Sequence, residues 1–122
     1  MSVAAKPRAE HRLSIRVDLA GGVRIGPGKV ALLEEIGRTG SISAAGRALR
    51  MSYRRAWDLV EELNRTLGCP VVVTASGGAG GGGASLTEAG EAVVREYRAI
   101  EAEAAAACRR HMQALGRVCR RE

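Results

Sequence analysis

GSISAAGRALRMSYRRAWDLVEELN, residues 40–64, holds two short helical patterns separated by a turn. Ser41 is of the type that caps a helix N-terminus, because its side-chain oxygen can accept from an unpaired backbone N–H. Ile42, Ala45 and Leu49 follow it on one helical face. Arg50 and Met51 make the turn. Ser52 then caps a second helix, in which Ala56, Val60, Leu63 and Leu67 recur at spacings of four, three and four, the inward stripe of an amphipathic helix. Gly68 and Pro70 end it. A short helix, a tight turn and a longer amphipathic helix form the helix-turn-helix pattern.

The charge around that turn points to a polyanion. Between residues 38 and 55 stand Arg38, Arg47, Arg50, Arg54 and Arg55 and no acid, while Asp58, Glu61 and Glu62 follow further along the second helix. A recognition helix that enters the DNA major groove by its N-terminal end needs this polarity, since phosphates flank that end. With the apolar stripe inward, Arg54, Arg55, Asp58 and Glu62 fall on the outer side. Arg54 and Arg55 are the candidate base or phosphate readers. Asp58 either holds Arg54 four residues away or accepts from cytosine. Ser41, at the start of the first helix, and Arg47 and Arg50, at the turn, are further candidate DNA contacts. The bland alternative is a solvated helix laced with ion pairs.

Upstream, Leu13, Ile15, Val17 and Leu19 alternate with polar residues, the period of a half-buried strand, and Gly21-Gly22 turns it into Val23-Arg24-Ile25. Residues 12–26 are expected to form a hairpin after a flexible N-terminus at 1–11. Pro27 opens the first of three helices over 27–67, with Val30, Leu33 and Ile36 inward. Downstream, Val71-Val72-Val73-Thr74, the run SGGAGGGGAS and Leu86 predict strand, loop and strand over 71–86. A glycine run is ordinarily a linker. Directly after the recognition helix it suits the hairpin of a wing, with the backbone at Gly78, Gly80, Gly81, Gly82 and Gly83 able to approach phosphate.

Thr87 caps a long helix, expected over 87–115 before a basic tail at 116–122. Val93, Tyr97, Ile100, Ala104, Ala107, His111, Ala114 and Val118 alternate by four and three, the spacing of a coiled-coil seam. Val93, Tyr97, Ile100 and Ala104 are the candidate homodimer contacts. The alternative is one face lying on its own domain. The fold class that results is mainly α with small β hairpins, a winged helix-turn-helix with a long C-terminal dimerisation helix.

Composition agrees. The 122 residues allow one domain, and the net charge of +6 and pI near 10.0 favour an acidic partner. There is no Phe, so the core must be aliphatic and thin. No stretch is apolar enough to span a bilayer and the N-terminus has no signal-like region, so no membrane contact and a cytoplasmic location are expected. Cys69, Cys108 and Cys119 are read as free thiols. Cys108 and His111 share a helical face but supply too few ligands for zinc. No metal and no cofactor is expected, and no catalytic triad pattern is present, so an enzyme is not expected. Gly78, Gly80 and Gly83 satisfy a nucleotide-binding glycine spacing without the strand-helix context it requires.

The stretch at 40–64 with GGAGGGGASLTEAGEAVVREY resembles the N-terminal DNA-binding domain of the bacterial molybdate-responsive transcriptional regulators (ModE type) and, more loosely, the helix-turn-helix of LysR-type regulators. The resemblance implies a homodimer on palindromic double-stranded DNA, with Ser52, Tyr53, Arg54 and Arg55 at the DNA and Trp57 behind them. It also implies control of molybdenum uptake or use. The family's wing commonly carries Lys where this chain has Ala79. Longer members bind the oxyanion in a C-terminal domain that this chain is expected to lack, so a separate effector-sensing protein is an expected partner and molybdate is not expected to bind this chain alone. The competing functions are a nonspecific architectural DNA-binding protein and an interaction module that pairs with a sensor.

Overall fold

The structure, a computed structural model, describes residues 11–78 and 81–119. Nearly all of the expected flexible N-terminus, Ala79 and Gly80 of the wing, and the last three tail residues lie outside the described residues. Strand β1 (Val17–Leu19) pairs antiparallel with β2 (Val23–Ile25), in register Val17 to Ile25. Helices α1 (Pro27–Thr39), α2 (Ile42–Ala48) and α3 (Tyr53–Leu67) follow. A second antiparallel hairpin joins β3 (Val72–Gly78) to β4 (Gly81–Leu86), and α4 (Glu88–Cys119) completes the chain. The first hairpin is shorter than the alternation suggested. Residues 11–16 are not in a strand, and Leu19, paired with Val23 at the turn, is half exposed.

The core is aliphatic. Val30, Leu32, Leu33 and Ile36 of α1 are fully buried against Ala45 of α2 and Ala56 and Leu63 of α3. Each buried leucine or isoleucine contributes roughly 1.5–3 kcal/mol relative to exposure. Ser41 caps α2 by accepting from the Ala44 N–H at 3.0 Å, and Ser52 caps α3 by accepting from the Arg55 N–H at 3.0 Å. Between them Arg50 has φ 58°, the left-handed region that side chains disfavour. Its N–H donates to the Arg47 carbonyl at 3.1 Å, and the Met51 N–H donates to Gly46 at 2.9 Å, so the turn is held by backbone bonds.

The wing has little core of its own and is tied down at three places. Asn64 Oδ1 accepts from the Val71 N–H at 2.7 Å, fixing the entry to β3. The Ala84 N–H donates to the Gly40 carbonyl at 2.9 Å, fixing β4 to the α1–α2 corner. At its end, the Thr87 N–H donates to the Val71 carbonyl at 3.0 Å while the Thr87 hydroxyl caps α4 by accepting from Gly90. Gly90 lies so close to that Val71 carbonyl that a Cβ there would collide with it.

The long helix is anchored to its own domain over its first turns. Tyr97 is 2% exposed and its hydroxyl donates to the Ile15 carbonyl at 2.6 Å. Val93 packs on the same core. Two of the four expected dimer contacts therefore pack on the protomer's own core, because the four-three repeat that suits a partner helix is met here by its own strands and helices. Arg98 donates to both oxygens of Glu34 at 2.8 and 3.0 Å, tying α4 to α1. Ile100 stays exposed and Ala104 is half-buried. The helix runs past the expected end at 115 to Cys119, with His11 lying against Gly116, so the segment before β1 follows α4. Among the described residues no helix is long and apolar enough to cross a membrane.

Two outcomes follow from these contacts. Gly90→Ala should destabilise the fold by about 1–3 kcal/mol, since overpacking here meets backbone rather than a movable side chain; urea denaturation measures it. The guanidinium of Arg98 holds the Glu34 carboxyl below the usual carboxylate range, and Lys29 does the same for Glu62. A carboxylate whose folded pKa is depressed stabilises above its unfolded pKa and loses that contribution as pH falls through the folded one. The urea midpoint should fall below about pH 4, and Glu34→Gln should flatten that fall.

Candidate nucleic-acid interface

The exposed end of α3 carries the residues that the sequence singled out. Tyr53 is 59% exposed, and Arg54 and Arg55 stand in the same first turn. Arg54 Nε lies 3.6 Å from Asp58 Oδ1, a loose pair with both groups in solvent, which leaves Arg54 free to exchange the carboxylate for a phosphate or base. Among the described residues, Arg47, Arg50 and Arg55 have no carboxylate partner. Arg47 instead donates to Ser43 Oγ at 2.9 Å. Arg50 projects from the turn itself, so the strained residue is also a cation.

Two members of the basic and acidic pattern are used elsewhere. Arg38 is held by Glu35, one turn back, at 2.6 and 2.9 Å. Glu35 lies just outside the acid-free stretch, and its three-residue spacing was visible in the sequence. Glu62 is not on the outer face with Arg54 and Asp58; it accepts from Lys29 of α1 at 2.7 Å. One cation and one carboxylate thus leave the pattern, and Arg54, Arg55 and Asp58 remain on the exposed face of α3.

Trp57 sits one turn behind Tyr53. The two rings meet edge to face, with centroids 6.1 Å apart and planes at 68°, a favourable aromatic geometry. Trp57 also packs against the core, and its Nε1 is buried with no hydrogen-bond acceptor. In front of it a groove of about 330 Å³ opens between α2, α3 and the wing, bordered by Ser41, Ser43, Tyr53, Thr74 and Ala84. Neither Ser43 nor Thr74 was singled out from the sequence, because a lone hydroxyl residue on a helix or strand carries no pattern.

The wing glycines divide. Gly78 and Gly81 pair across the hairpin past an irregularity in the register. Gly83 pairs with Ala75 and approaches the Gly40 carbonyl, where a Cβ would stand 3.3 Å from the oxygen. Its lack of a side chain is thus used within the fold, to let the wing lie on the α1–α2 corner.

Comparison with known proteins places this geometry. A chain 56% identical over 81 residues is the molybdenum-pterin-binding protein MopB of Rhodobacter capsulatus; the match covers 66% of this chain and 30% of that one. The molybdenum transport protein ModE of Azotobacter vinelandii is 37% identical over 107 residues, covering 88% and 39%. The DNA-binding transcriptional dual regulator ModE of Escherichia coli K12 is 39% identical over 71 residues, covering 58% and 27%. The chain thus spans between about a quarter and two-fifths of these relatives' length. The crystal structure of the CbnR_DBD–DNA complex shares the fold, with a TM-score of 0.56 at 22% identity, over 72% of this chain and 95% of that one. Residues 28–91, more than half of the sequence, match the bacterial regulatory helix-turn-helix proteins of the lysR family, and the chain belongs to that family.

Proposed function

We propose that this chain is the DNA-binding part of a molybdate-responsive transcriptional regulator and recognises a specific double-stranded operator. The observation that carries this reading is the start of α3 and the turn before it, where Arg54, Arg55, Arg47 and Arg50 have no buried or bidentate acid to neutralise them among the described residues. Cations so arranged displace counterions from phosphates, and an exposed arginine fork can grip guanine through O6 and N7. The names of the relatives supply the molybdenum connection. The oxyanion response is assigned to a sensor unit, on the same polypeptide or on a partner protein, that α4 joins to the DNA-binding part.

The regulator acts as a homodimer through the part of α4 that its own domain leaves open. Ile100, Leu115 and Val118 are exposed there. Residues 88–103 carry Glu88, Glu91, Glu96, Glu101 and Glu103 against Arg95 and Arg98, whereas residues 104–119 carry Arg109, Arg110 and Arg117 and no acid. An antiparallel pair sets the basic half of each helix on the acidic half of the other. This reading drops Val93 and Tyr97 from the interface and keeps Ile100 and Ala104.

Selection of duplexes from random sequence, followed by fluorescence anisotropy across a salt series, tests the DNA reading. Binding should weaken steeply with salt, and Arg55→Ala should cost about 1–3 kcal/mol. Arg50→Gly separates fold from function: relief of the left-handed strain should raise stability by up to about 1 kcal/mol while DNA affinity drops. Equal binding by parent and both variants removes these arginines from the site.

Sedimentation tests the helix. Ile100→Asp places a charge in an apolar contact and should give monomers that retain the parent's helicity. Persistent dimers move the interface off α4.

A further inference from the structure

The groove in front of Trp57 is rich in donors and holds no charged side chain on its border. Ser41 Oγ already accepts from the Ala44 N–H, and Ser43 Oγ accepts from Arg47. A hydroxyl whose oxygen is engaged in this way still has its proton to donate. The hydroxyls of Tyr53 and Thr74 have no partner among the described residues, and Trp57 Nε1 is a buried donor without an acceptor. The hydroxyls of Ser41, Ser43, Tyr53 and Thr74 border one opening of about 330 Å³. Their complement is a compact group made of acceptor oxygens.

We infer that this groove is a phosphodiester site, in which the hydroxyls of Ser41, Ser43, Tyr53 and Thr74 donate to one backbone phosphate of the bound DNA. The inference rests on the DNA-binding reading and adds residues to it. The source is DNA rather than a free oxyanion because the groove is open and lies between the exposed start of α3 and the wing, and because the nearest cation, Arg47, is engaged with Ser43 Oγ. A phosphate seated there is touched from α2, α3 and β3 at once. It fixes how deeply the recognition helix sits, a positioning task that neutral donors perform as well as cations.

The neutrality gives the test a signature. Thr74→Val and Tyr53→Phe alter exposed side chains outside the core, and both variants should melt with the parent. On a duplex that the parent selects from random sequence, each should bind about tenfold more weakly, the loss of one charge-assisted hydrogen bond. The slope of log affinity against log salt should not change, whereas Arg55→Ala should lower it by about one unit. Uncharged methylphosphonate placed at each phosphate in turn should identify one position per half-site where the parent falls to the level of Thr74→Val and the variant loses nothing more. Emission of Trp57, the only tryptophan, should shift with duplex and not with millimolar inorganic phosphate or molybdate.

Variants that bind as tightly as the parent, while Arg55→Ala binds weakly, overturn the groove and leave the DNA reading standing. A changed salt slope for Thr74→Val, or a variant penalty that persists at every methylphosphonate position, overturns it as well. A saturable Trp57 shift with inorganic phosphate or molybdate overturns the assignment to DNA phosphodiester. If the parent enriches no duplex at all, the DNA reading fails first, and the groove inference falls with it.

Discussion

The close contact between Gly46 of α2 and Ala56 of α3 is the constraint on which the remaining geometry depends. A Cβ on Gly46 would stand 3.2 Å from that of Ala56 and 3.5 Å from the Met51 carbonyl, so the two helices cross at a distance that only the smallest residues permit. The Gly46 carbonyl meanwhile accepts from the Met51 N–H, locking the turn against the same spot. Seven residues of α2 are too few to be helical alone. The crossing makes α2 and α3 one object, and the strain at Arg50 is tolerated because that object over-determines it.

The wing inherits its position from this crossing. The α1–α2 corner supplies the Gly40 carbonyl that receives β4, and Asn64, two turns past Ala56 on α3, receives β3. Both anchors are backbone or short polar groups at the wing's base, so its direction does not depend on packing near the tip. Leu86 adds an apolar contact beside Gly37, where a Cβ would touch its Cδ1 at 3.4 Å. The groove beside Trp57 is the space left between parts that are each fixed elsewhere, and this is why it can be open without collapsing.

How much of this was legible follows from the range of the signals. Caps and helical stripes are local, and Ser41, Ser52 and the Ala56–Val60–Leu63 stripe all stand where their spacing put them. Leu32, fully buried beside Leu33, was missed because α1 is buried on a broader face than one stripe. A four-three repeat states that a helix is covered and not by what, so Val93 and Tyr97 read as a seam when strand, hairpin and α1 cover them. Long-range pairs were hidden: Lys29 to Glu62 and Arg98 to Glu34 span 33 and 64 residues. The groove was hidden for the same reason, since Ser43, Tyr53 and Thr74 come together only when the wing folds back.

Rigidity of α4 on its domain bears on how two copies would read DNA. Tyr97 to Ile15, Arg98 to Glu34 and the capped start at Thr87 hold the first third of the helix against α1 and the strands. The same α1 carries the α2–α3 pair, so the axis of α4 and the axis of the recognition helix are related through packed core rather than through a linker. In a dimer joined by the outer part of α4, the separation and tilt of the two recognition helices are then set by where the helices cross. An operator for such a dimer has one permitted half-site spacing. On the proposed reading, a sensor joined at α4 would act through that crossing, because Tyr97 and Arg98 tie the helix to its own domain. Weakening that tie relaxes the spacing requirement before it weakens either half-site, and the two effects separate positioning by α4 from contact by α3.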